Sequence, residues 1–211
     1  MKKIYLVRHG ESEGNAEGIH QEAAAHLSEK GKMQARIIGE RCAKFPLDLI
    51  ISSTMLRAKE TTEIIAKKID KKLDYSDLFV ECRRPKEVIG KPMASGEVLK
   101  ARKVIRENFH IPDFRFSDEE NFEDLKERAR NALKYLEERE EGYILVVTHG
   151  LFMKVLVALV LFEENLTPQE FLQLKSKLHI ENTGITVLDF DQENTQLVWN
   201  LLIWNDHAHL S

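Results

Sequence analysis

The chain has 211 residues, which is enough for one sizeable core or for one domain carrying an inserted cap. It has 31 Lys and Arg against 35 Asp and Glu, so its net charge of −4 gives no support for a nucleic-acid partner or a polybasic membrane contact. Its 2 cysteines make no disulfide framework, which favours reduced thiols. The longest apolar stretch, Leu151 to Phe162, is shorter than the ~20 residues of a membrane span. The apolar run at the start breaks at Arg8 and His9, before a signal peptide could form. We therefore expect a cytoplasmic protein.

The first half of the chain alternates between strand and helix patterns. A strand over residues 4–7 ends at His9 and Gly10, and a loop is expected from Asn15 to His26. A helix follows from about Ser28, with apolar residues at helical spacing: Met33, Ile37, Ile38, Cys42 and Phe45. A second buried strand, Leu47 to Ile51, ends at two serines that can cap the next helix, whose inner face carries Ala58, Thr61 or Thr62, Ile65 and Ile69. A short strand is predicted for Leu78 to Val80, ending at Glu81.

The pattern weakens between Cys82 and about Glu120. This segment holds three of the prolines and the basic residues Arg83, Arg84, Lys86, Lys91, Arg102, Lys103 and Arg106. Helical spacing returns within it at Val98, Ala101 and Ile105, which favours an inserted cap over residues 82–120 rather than a linker.

The second half predicts further alternation. A long amphipathic helix with Phe122, Leu125, Ala129, Leu133 and Leu136 precedes a strand at 143–148. The helix after Gly150 is apolar nearly all round, so we expect it between the sheet and other helices. Thr167 to Glu170 form a capping box, and strands at Ile185–Phe190 and Gln196–Trp204 are expected to join at Asp191–Asn194. The whole is typical of a three-layer α/β/α sandwich with a mostly parallel sheet and an antiparallel edge strand.

Two His-Gly pairs, His9-Gly10 and His149-Gly150, each follow a buried strand. The carboxyl ends of parallel strands share one edge of a sheet, so the two histidines can meet despite their separation in sequence. Arg8 supplies a fixed cation beside one of them, and Arg57 lies in the first turn of a helix at the same edge. A neutral imidazole is a competent nucleophile, and phosphoryl transfer needs fixed positive charge around the phosphorus. These residues therefore point to phosphoryl chemistry on a histidine.

The chain resembles the histidine phosphatase superfamily, the phosphoglycerate mutase-like proteins, over nearly its whole length. The matching motifs are Arg8-His9-Gly10-Glu11-Ser12 with Asn15, Leu27-Ser28-Glu29-Lys30-Gly31 with Gln34-Ala35, Ser52-Ser53 with Arg57-Ala58 and Thr61, Thr148-His149-Gly150, and Asn182-Thr183-Gly184-Ile185.

The resemblance implies a role for each matching residue. His9 would be the phosphorylated nucleophile, and Glu81 would be the general acid. Arg8, Arg57 and His149 would form the phosphate pocket, with Asn15 and the backbone of Gly150 as further donors. The family needs no metal, and we expect this chain to act without a cofactor.

Substrate choice stays open at this stage, because Cys82-Arg83-Arg84-Pro85 lacks the Gly-rich form associated with mutases. Arg83 and Arg84 follow Glu81 closely enough for one of them to contact substrate. The function expected is a phosphatase acting on small phosphorylated metabolites. The alternatives are a phosphoglycerate mutase and an inactive member that binds phosphorylated ligands. The pair His207 and His209 lacks further ligands at a sensible spacing and is expected to pack or face solvent.

Overall fold

A computed structural model describes residues 1–191, 193 and 198–210. Its centre is a sheet of six strands in the order β3-β2-β4-β1-β5-β6. The strands are β1 (Lys2–Arg8), β2 (Leu49–Ser53), β3 (Lys72–Ser76), β4 (Tyr143–Thr148), β5 (Ile185–Phe190) and β6 (Trp199–Asp206). The first four of these run parallel to one another, whereas β5 is antiparallel to both of its neighbours, β1 and β6. The expected mixed sheet with an antiparallel edge is therefore confirmed.

Helices cover both faces of the sheet and complete the three layers. They are α1 (Glu13–Glu17), α2 (Glu29–Cys42), α3 (Leu56–Ala66), α4 (Gly96–Asn108), α5 (Phe122–Glu137), α6 (Gly150–Phe162) and α7 (Pro168–Lys177). Alternate residues of β1 point to opposite faces: Tyr5 and Val7 pack with α2 and α3, while Ile4 and Leu6 pack with α5, α6 and α7. Helix α6 is buried nearly all round, as expected. No helix in the described part of the chain is both long and apolar enough to cross a membrane.

The topology changes direction between β1 and β4. The chain leaving β1 crosses over one face of the sheet to β2, and the chain leaving β4 crosses the other face to β5. Two adjacent parallel strands whose crossovers diverge leave a crevice beyond their carboxyl ends, which is where open α/β sheets bind ligands.

The third strand was predicted at the wrong place. It is Lys72–Ser76, whereas the apolar run Leu78 to Val80 enters a 3₁₀ turn over Asp77–Phe79. The strand lies at the edge of the sheet and carries polar residues, so the sequence gives no apolar signal for it. The apolar residue in this turn, Phe79, is explained by burial, since its ring is fully buried and packs edge-on against Tyr135.

Three other expectations about local structure need correction. The expected loop Asn15 to His26 begins with the short helix α1, which Ser12 and Asn15 stabilise through a capping box. Met33 and Ile37 do not face the core, since they are 53% and 37% exposed, and α2 instead buries Gly31, Gln34, Ala35, Ile38, Gly39 and Cys42. Strand β2 begins and ends two residues later than expected.

The last two strands match the expectation only in part. Strand β6 covers Trp199–Asp206 rather than Gln196 to Trp204. Gln196 lies outside the described residues, and so does part of the Asp191–Asn194 connection.

The segment from Cys82 to Asn121 contains a 3₁₀ turn over Lys86–Val88 and helix α4. Val88, Val98 and Ala101 form a small apolar cluster of their own. An isolated bridge between Ile19 and Pro92 ties the segment to the loop after α1. Its interpretation as an inserted cap within a single 211-residue domain stays a prediction.

The start of α2 packs directly on the loop after β1. A Cβ atom added at Gly31 would lie 1.9 Å from the carbonyl oxygen of Glu11, whereas one added at Gly39 would lie no closer than 3.4 Å to its nearest neighbour. We expect Gly31→Ala to lower the free energy of unfolding by about 1–3 kcal/mol, because backbone atoms must move apart. Gly39→Ala, in the same helix, should leave stability unchanged or raise it slightly. Urea unfolding at pH 7 measures both, and equal stability of the two variants would contradict the close packing.

Candidate active site

The two histidines meet at the carboxyl ends of β1 and β4. Arg8 pairs with Thr148 in the register of the two strands, so His9 and His149 follow at matching positions. Their ring centroids lie 5.0 Å apart. Both side chains are buried, with His9 2% and His149 0% exposed. The sheet register thus brings together two residues that lie 140 positions apart in the chain.

The hydrogen bonds of His9 define its tautomer. Its Nδ1 lies 2.7 Å from the carbonyl oxygen of Gly10, which can only accept, so Nδ1 carries the proton. Its Nε2 lies 3.2 Å from Nε of Arg57, which can only donate. The lone pair of Nε2 therefore points to the side of the ring where Arg57 lies, and in the free protein it accepts the hydrogen bond from that guanidinium. A neutral imidazole held in this way can act as a nucleophile.

Arg57 comes from the first turn of α3 and is 4% exposed. Besides its contact with His9, it donates to the carbonyl oxygen of Glu22 at 3.1 Å and contacts the sulfur of Met55 at 3.2 Å. Burial lowers the pKa of the guanidinium to about 10, so Arg57 keeps its charge at neutral pH. These contacts hold a cation directly beside the nucleophile, and among the described residues Arg57 forms no ion pair with a carboxylate.

Two buried nitrogen atoms at the site make no hydrogen bond within the described residues: Nε of Arg8 and Nδ1 of His149. Arg8 is anchored through its terminal nitrogen, which donates to the carbonyl oxygen of Ile180 at 2.7 Å. His149 is anchored through Nε2, which lies 2.8 Å from Oγ of Ser53. Nε of Arg8 can only donate, so this buried atom beside the cleft is free to bind an acceptor oxygen.

Gly150 lets Arg8 lie over the start of α6. A Cβ atom at this position would lie 3.3 Å from Nε of Arg8 and 3.3 Å from the side chain of Ile180. The helix therefore presents its N-terminal backbone groups and the arginine together, and a helix N-terminus attracts anions.

Burial and positive charge act in the same direction on both histidines. Desolvation is the largest cause that lowers the pKa of His9 well below 6.5, followed by the charges of Arg57 and Arg8. For His149 the causes are burial, then Arg57, then His9 and Arg8. Both rings are therefore neutral at pH 7.

Glu81 reaches the same edge of the sheet from the other side. Its carboxylate accepts hydrogen bonds from the backbone N–H groups of Cys82 at 2.9 Å, Phe152 at 3.0 Å and Leu151 at 3.3 Å. It therefore sits at the N-terminus of α6, where the helix favours a negative charge. The segment before it is fixed by Thr148, whose hydroxyl donates to the carbonyl oxygen of Phe79 at 2.6 Å.

Arg128 on α5 holds the approach to Glu81 in place. It donates to the carbonyl oxygens of Leu78 at 3.0 Å and Val80 at 2.9 Å, and it forms a bidentate ion pair with Glu120. Its guanidinium also lies over the ring of Phe152, 4.1 Å from the centroid. The strand before Glu81 was predicted at the wrong place, yet Glu81 still lies at the edge of the sheet where β1 and β4 end. These contacts fix the irregular segment that leads to it.

A cleft of about 1340 Å³ opens onto these groups. Among the predicted site residues, its lining includes Arg8, His9, Asn15, Arg57, Glu81 and Gly150, while His149 lies behind them, fully buried. Asn15 accepts a hydrogen bond from the amide of Asn182, which also donates to the carbonyl oxygen of His9 at 2.9 Å. Asn182 had no predicted role. It belongs to one of the quoted motifs, and that motif was the only available signal.

His209 and the two cysteines pack against other parts of the protein. His209 lies 3.1 Å from a nitrogen of Arg41 and 3.2 Å from the hydroxyl of Thr183, so it packs at the end of the chain. Across the described residues, no cluster of three or more His, Cys, Asp or Glu side chains could hold a metal ion. Cys42 and Cys82 are unpaired and buried, and burial raises the pKa of both thiols, that of Cys42 to about 12.

A family model for the histidine phosphatase superfamily (branch 1) matches residues 4–206. The chain belongs to this superfamily. It is 30% identical to the "Probable phosphoglycerate mutase GpmB" of Salmonella arizonae, over 100% of this chain and 95% of that protein. It is 29% identical to the "Putative phosphoserine phosphatase 2" of Hydrogenobacter thermophilus, over 94% of this chain and 95% of that protein. The solved structure of Bacillus stearothermophilus YhfR superposes with a TM-score of 0.81 at 25% identity and full coverage of both chains. The resemblance drawn from the motifs is therefore confirmed.

The electrostatics of the site predict a titration experiment. The imidazole of His9 should stay neutral from pH 8 down to below its ordinary pKa of 6.5, because burial and two cations oppose its protonation. Replacing Arg57 by Met removes one of those cations and should raise the pKa of His9. Proton–nitrogen NMR of the ring nitrogens measures both. An unchanged or lower pKa of His9 in Arg57→Met would contradict the assigned cause.

Proposed function

We propose that this protein is a phosphoric monoester hydrolase that transfers the phosphoryl group of small phosphomonoesters to His9 and then to water. The observation that carries the proposal is the unprotonated Nε2 of His9 beside Arg57, together with Nε of Arg8, a buried donor that has no hydrogen-bond partner among the described residues. One nucleophile and several fixed donors around a single point match the needs of phosphoryl transfer.

In the first step, Nε2 of His9 attacks the phosphorus and the bond to the leaving oxygen breaks. Arg8, Arg57 and His149 bind the equatorial oxygens, with Asn15 and the backbone of Gly150 as further donors. Nδ1 keeps its proton on the carbonyl oxygen of Gly10, which stabilises the positive charge that develops on the ring. The first product leaves as an alcohol once its oxygen is protonated.

Glu81 supplies that proton. Its carboxylate is held at the start of α6 by hydrogen bonds from the backbone N–H groups of Leu151 and Phe152. It donates the proton to the leaving oxygen as the bond to phosphorus breaks. In the second step Glu81 takes a proton from water as that water attacks phosphohistidine. The P–N bond then breaks, and phosphate and free His9 are regenerated.

The proposal includes turnover without a metal ion or cofactor, since arginine and histidine side chains supply the positive charge a metal would give. It also includes a cytoplasmic location, with no nucleic-acid or membrane partner. A phosphoglycerate mutase is the alternative, favoured by the name of the Salmonella relative. A mutase would need a bisphosphorylated primer and would move the phosphoryl group rather than release it.

The nucleophile is tested by trapping. Rapid quench with ³²P-labelled substrate should place acid-labile, base-stable phosphate on His9, and His9→Ala should reduce turnover by ~10³-fold or more. His26, which is exposed and hydrogen-bonded to Glu60, provides the matched control, and His26→Ala should retain label and turnover.

The same assays separate the alternatives. Turnover should continue in EDTA and without bisphosphoglycerate. Label on a serine, or substantial activity in His9→Ala, would refute the nucleophile. Loss of activity in EDTA with recovery on adding zinc would indicate a metallophosphatase, and dependence on bisphosphoglycerate would indicate a mutase.

The role of Glu81 is tested by the leaving group. Glu81→Gln should slow phosphorylation of His9 by glycerol phosphates much more than by nitrophenyl phosphate, because a good leaving group departs without a proton. Burst kinetics are needed, since the same carboxylate acts again in the second step. Glu97→Gln, on the exposed surface of α4, is the control and should behave as wild type. Equal losses for both substrates in the burst phase would assign the proton to another residue.

A further inference from the structure

The loop between α7 and β5, residues 180–184, contacts the backbone that carries the nucleophile; we call it the Asn182 loop. The amide of Asn182 donates to the carbonyl oxygen of His9 at 2.9 Å. The backbone N–H of Thr183 donates to the carbonyl oxygen of Arg8, also at 2.9 Å. The position of the nucleophile therefore depends on the conformation of this loop.

The Asn182 loop has a strained residue at its centre. Thr183 has a φ of 61°, in the left-handed region that a β-branched residue rarely adopts. The residue is also fully buried. A strained conformation of this kind persists only where the surrounding structure enforces it, and such residues cluster at functional sites. We therefore looked for the contacts that hold Thr183 in place.

A chain of hydrogen bonds reaches Thr183 from the side away from the nucleophile. The hydroxyl of Thr183 donates to the carbonyl oxygen of Asn182 at 2.7 Å, and its oxygen lies 3.2 Å from Nε2 of His209. Nδ1 of His209 lies 3.1 Å from a terminal nitrogen of Arg41, which can only donate. Nδ1 therefore accepts, so Nε2 carries the proton of the ring and donates it to the Thr183 hydroxyl.

The donors of this chain all run in one direction. Arg41, at the end of α2, is fixed by a bidentate ion pair with Asp206. From there the successive donors are Arg41, His209, Thr183 and Asn182. Hydrogen bonds that follow one another in this way strengthen each other. The chain therefore connects the end of α2 to the carbonyl oxygen of His9.

Asn205 supports the Asn182 loop at a second point. Its Oδ1 accepts a hydrogen bond from the backbone N–H of Glu181 at 2.9 Å. A Cβ atom added at Gly184 would lie 2.2 Å from the same Oδ1. The loop is thus held on both sides of Thr183, which explains how it keeps its strained conformation.

We propose that His209 is a positioning residue for phosphoryl transfer, acting through Thr183 and Asn182 on the backbone of His9. The inference rests on the proposed function and adds to it a residue that contacts neither substrate nor the reacting atoms. Without the hydrogen bond from His209, the strained loop relaxes and the backbone of His9 moves. In-line attack tolerates little misplacement, so the rate of transfer falls although the groups that bind phosphate remain.

The variant His209→Phe tests this role, because it keeps an aromatic ring and removes both ring nitrogens. In rapid-quench experiments with nitrophenyl phosphate, phosphorylation of His9 should slow roughly ten-fold, while the affinity for inorganic phosphate changes less than about two-fold. His207→Phe is the matched control and should behave as wild type. Among the described residues, His207 bonds to the carbonyl oxygen of Asn205 and makes no hydrogen bond to the Asn182 loop.

Thr183 offers a second pair of variants that leaves His209 intact. Thr183→Val keeps the branched shape and removes the hydroxyl, so it should slow phosphorylation by the same factor of roughly ten. Thr183→Ser keeps the hydroxyl and should restore the wild-type rate. Thr183→Val combined with His209→Phe should be no slower than either alone, because both break the same connection. This pair decides the test if His209→Phe does not fold.

The route through Asn182 is tested separately. In an Asn182→Ala background, His209→Phe should cause no further loss of rate, whereas a purely structural role would give the same loss in both backgrounds. Proton–nitrogen NMR of the Asn182 side-chain amide gives a measurement that needs no turnover. Its resonances should shift in His209→Phe and stay unchanged in His207→Phe.

The outcomes separate this inference from the proposed function. A wild-type rate in both His209→Phe and Thr183→Val, or equal losses from His209→Phe with and without Asn182, overturns the positioning role even if the protein is a phosphatase. Losses that are not additive support it. If the wild-type protein does not phosphorylate His9, the proposed function fails, and the Asn182 resonances then confirm or refute the connection to His209 on their own.

Discussion

The site depends on the parallel pairing of β1 with β4. This pairing places Arg8 opposite Thr148 and so sets His9 beside His149. The crossovers from these two strands leave on opposite faces of the sheet, so a crevice remains beyond the edge where the strands end. The same arrangement brings in α3 with Arg57 from one side and α6 with Gly150 from the other. A shift of register between the two strands would separate the imidazoles and disperse the cations.

The chemical character of the site follows from burying imidazoles among guanidinium groups. Burial disfavours the charged form of every one of these groups. Because the arginines also lower the pKa of both histidines, the histidines are neutral at pH 7 while the arginines stay charged. The free protein is then short of negative charge at one point. In the proposed reaction a phosphate dianion supplies that negative charge, so the repulsion among the buried cations favours binding of the substrate.

Much of the fold and the meeting of the site residues could be predicted from the sequence, because the decisive residues sit at the ends of buried strands. His9 and His149 follow continuous apolar runs, and Arg57 follows the two serines that end β2. Their meeting in space can be predicted from one rule, that the carboxyl ends of parallel strands lie at the same edge of the sheet. Strand β3 could not be predicted in the same way, because a strand at the edge of the sheet does not need a continuous apolar run.

Residues whose positions depend on distant packing could not be predicted in the same way. Asn182 donates to the backbone carbonyl oxygen of His9, and apart from the family motif nothing in the sequence distinguishes it from an ordinary loop residue. Glu81 was anticipated from the family motif, and its fixed position comes from Arg128 and Thr148.

The buried position of Cys82 has a consequence for the protein's redox chemistry. This thiol lies next to the proposed acid and at the wall of the cleft, yet burial and the charge of Glu81 hold it in the protonated form. Only the thiolate reacts readily with peroxide or with disulfides. The folded protein therefore keeps a cysteine beside its reactive groups without making its activity depend on the oxidation state of the surroundings. Unfolding exposes that sulfur, so alkylation of Cys82 reports on the population of opened molecules.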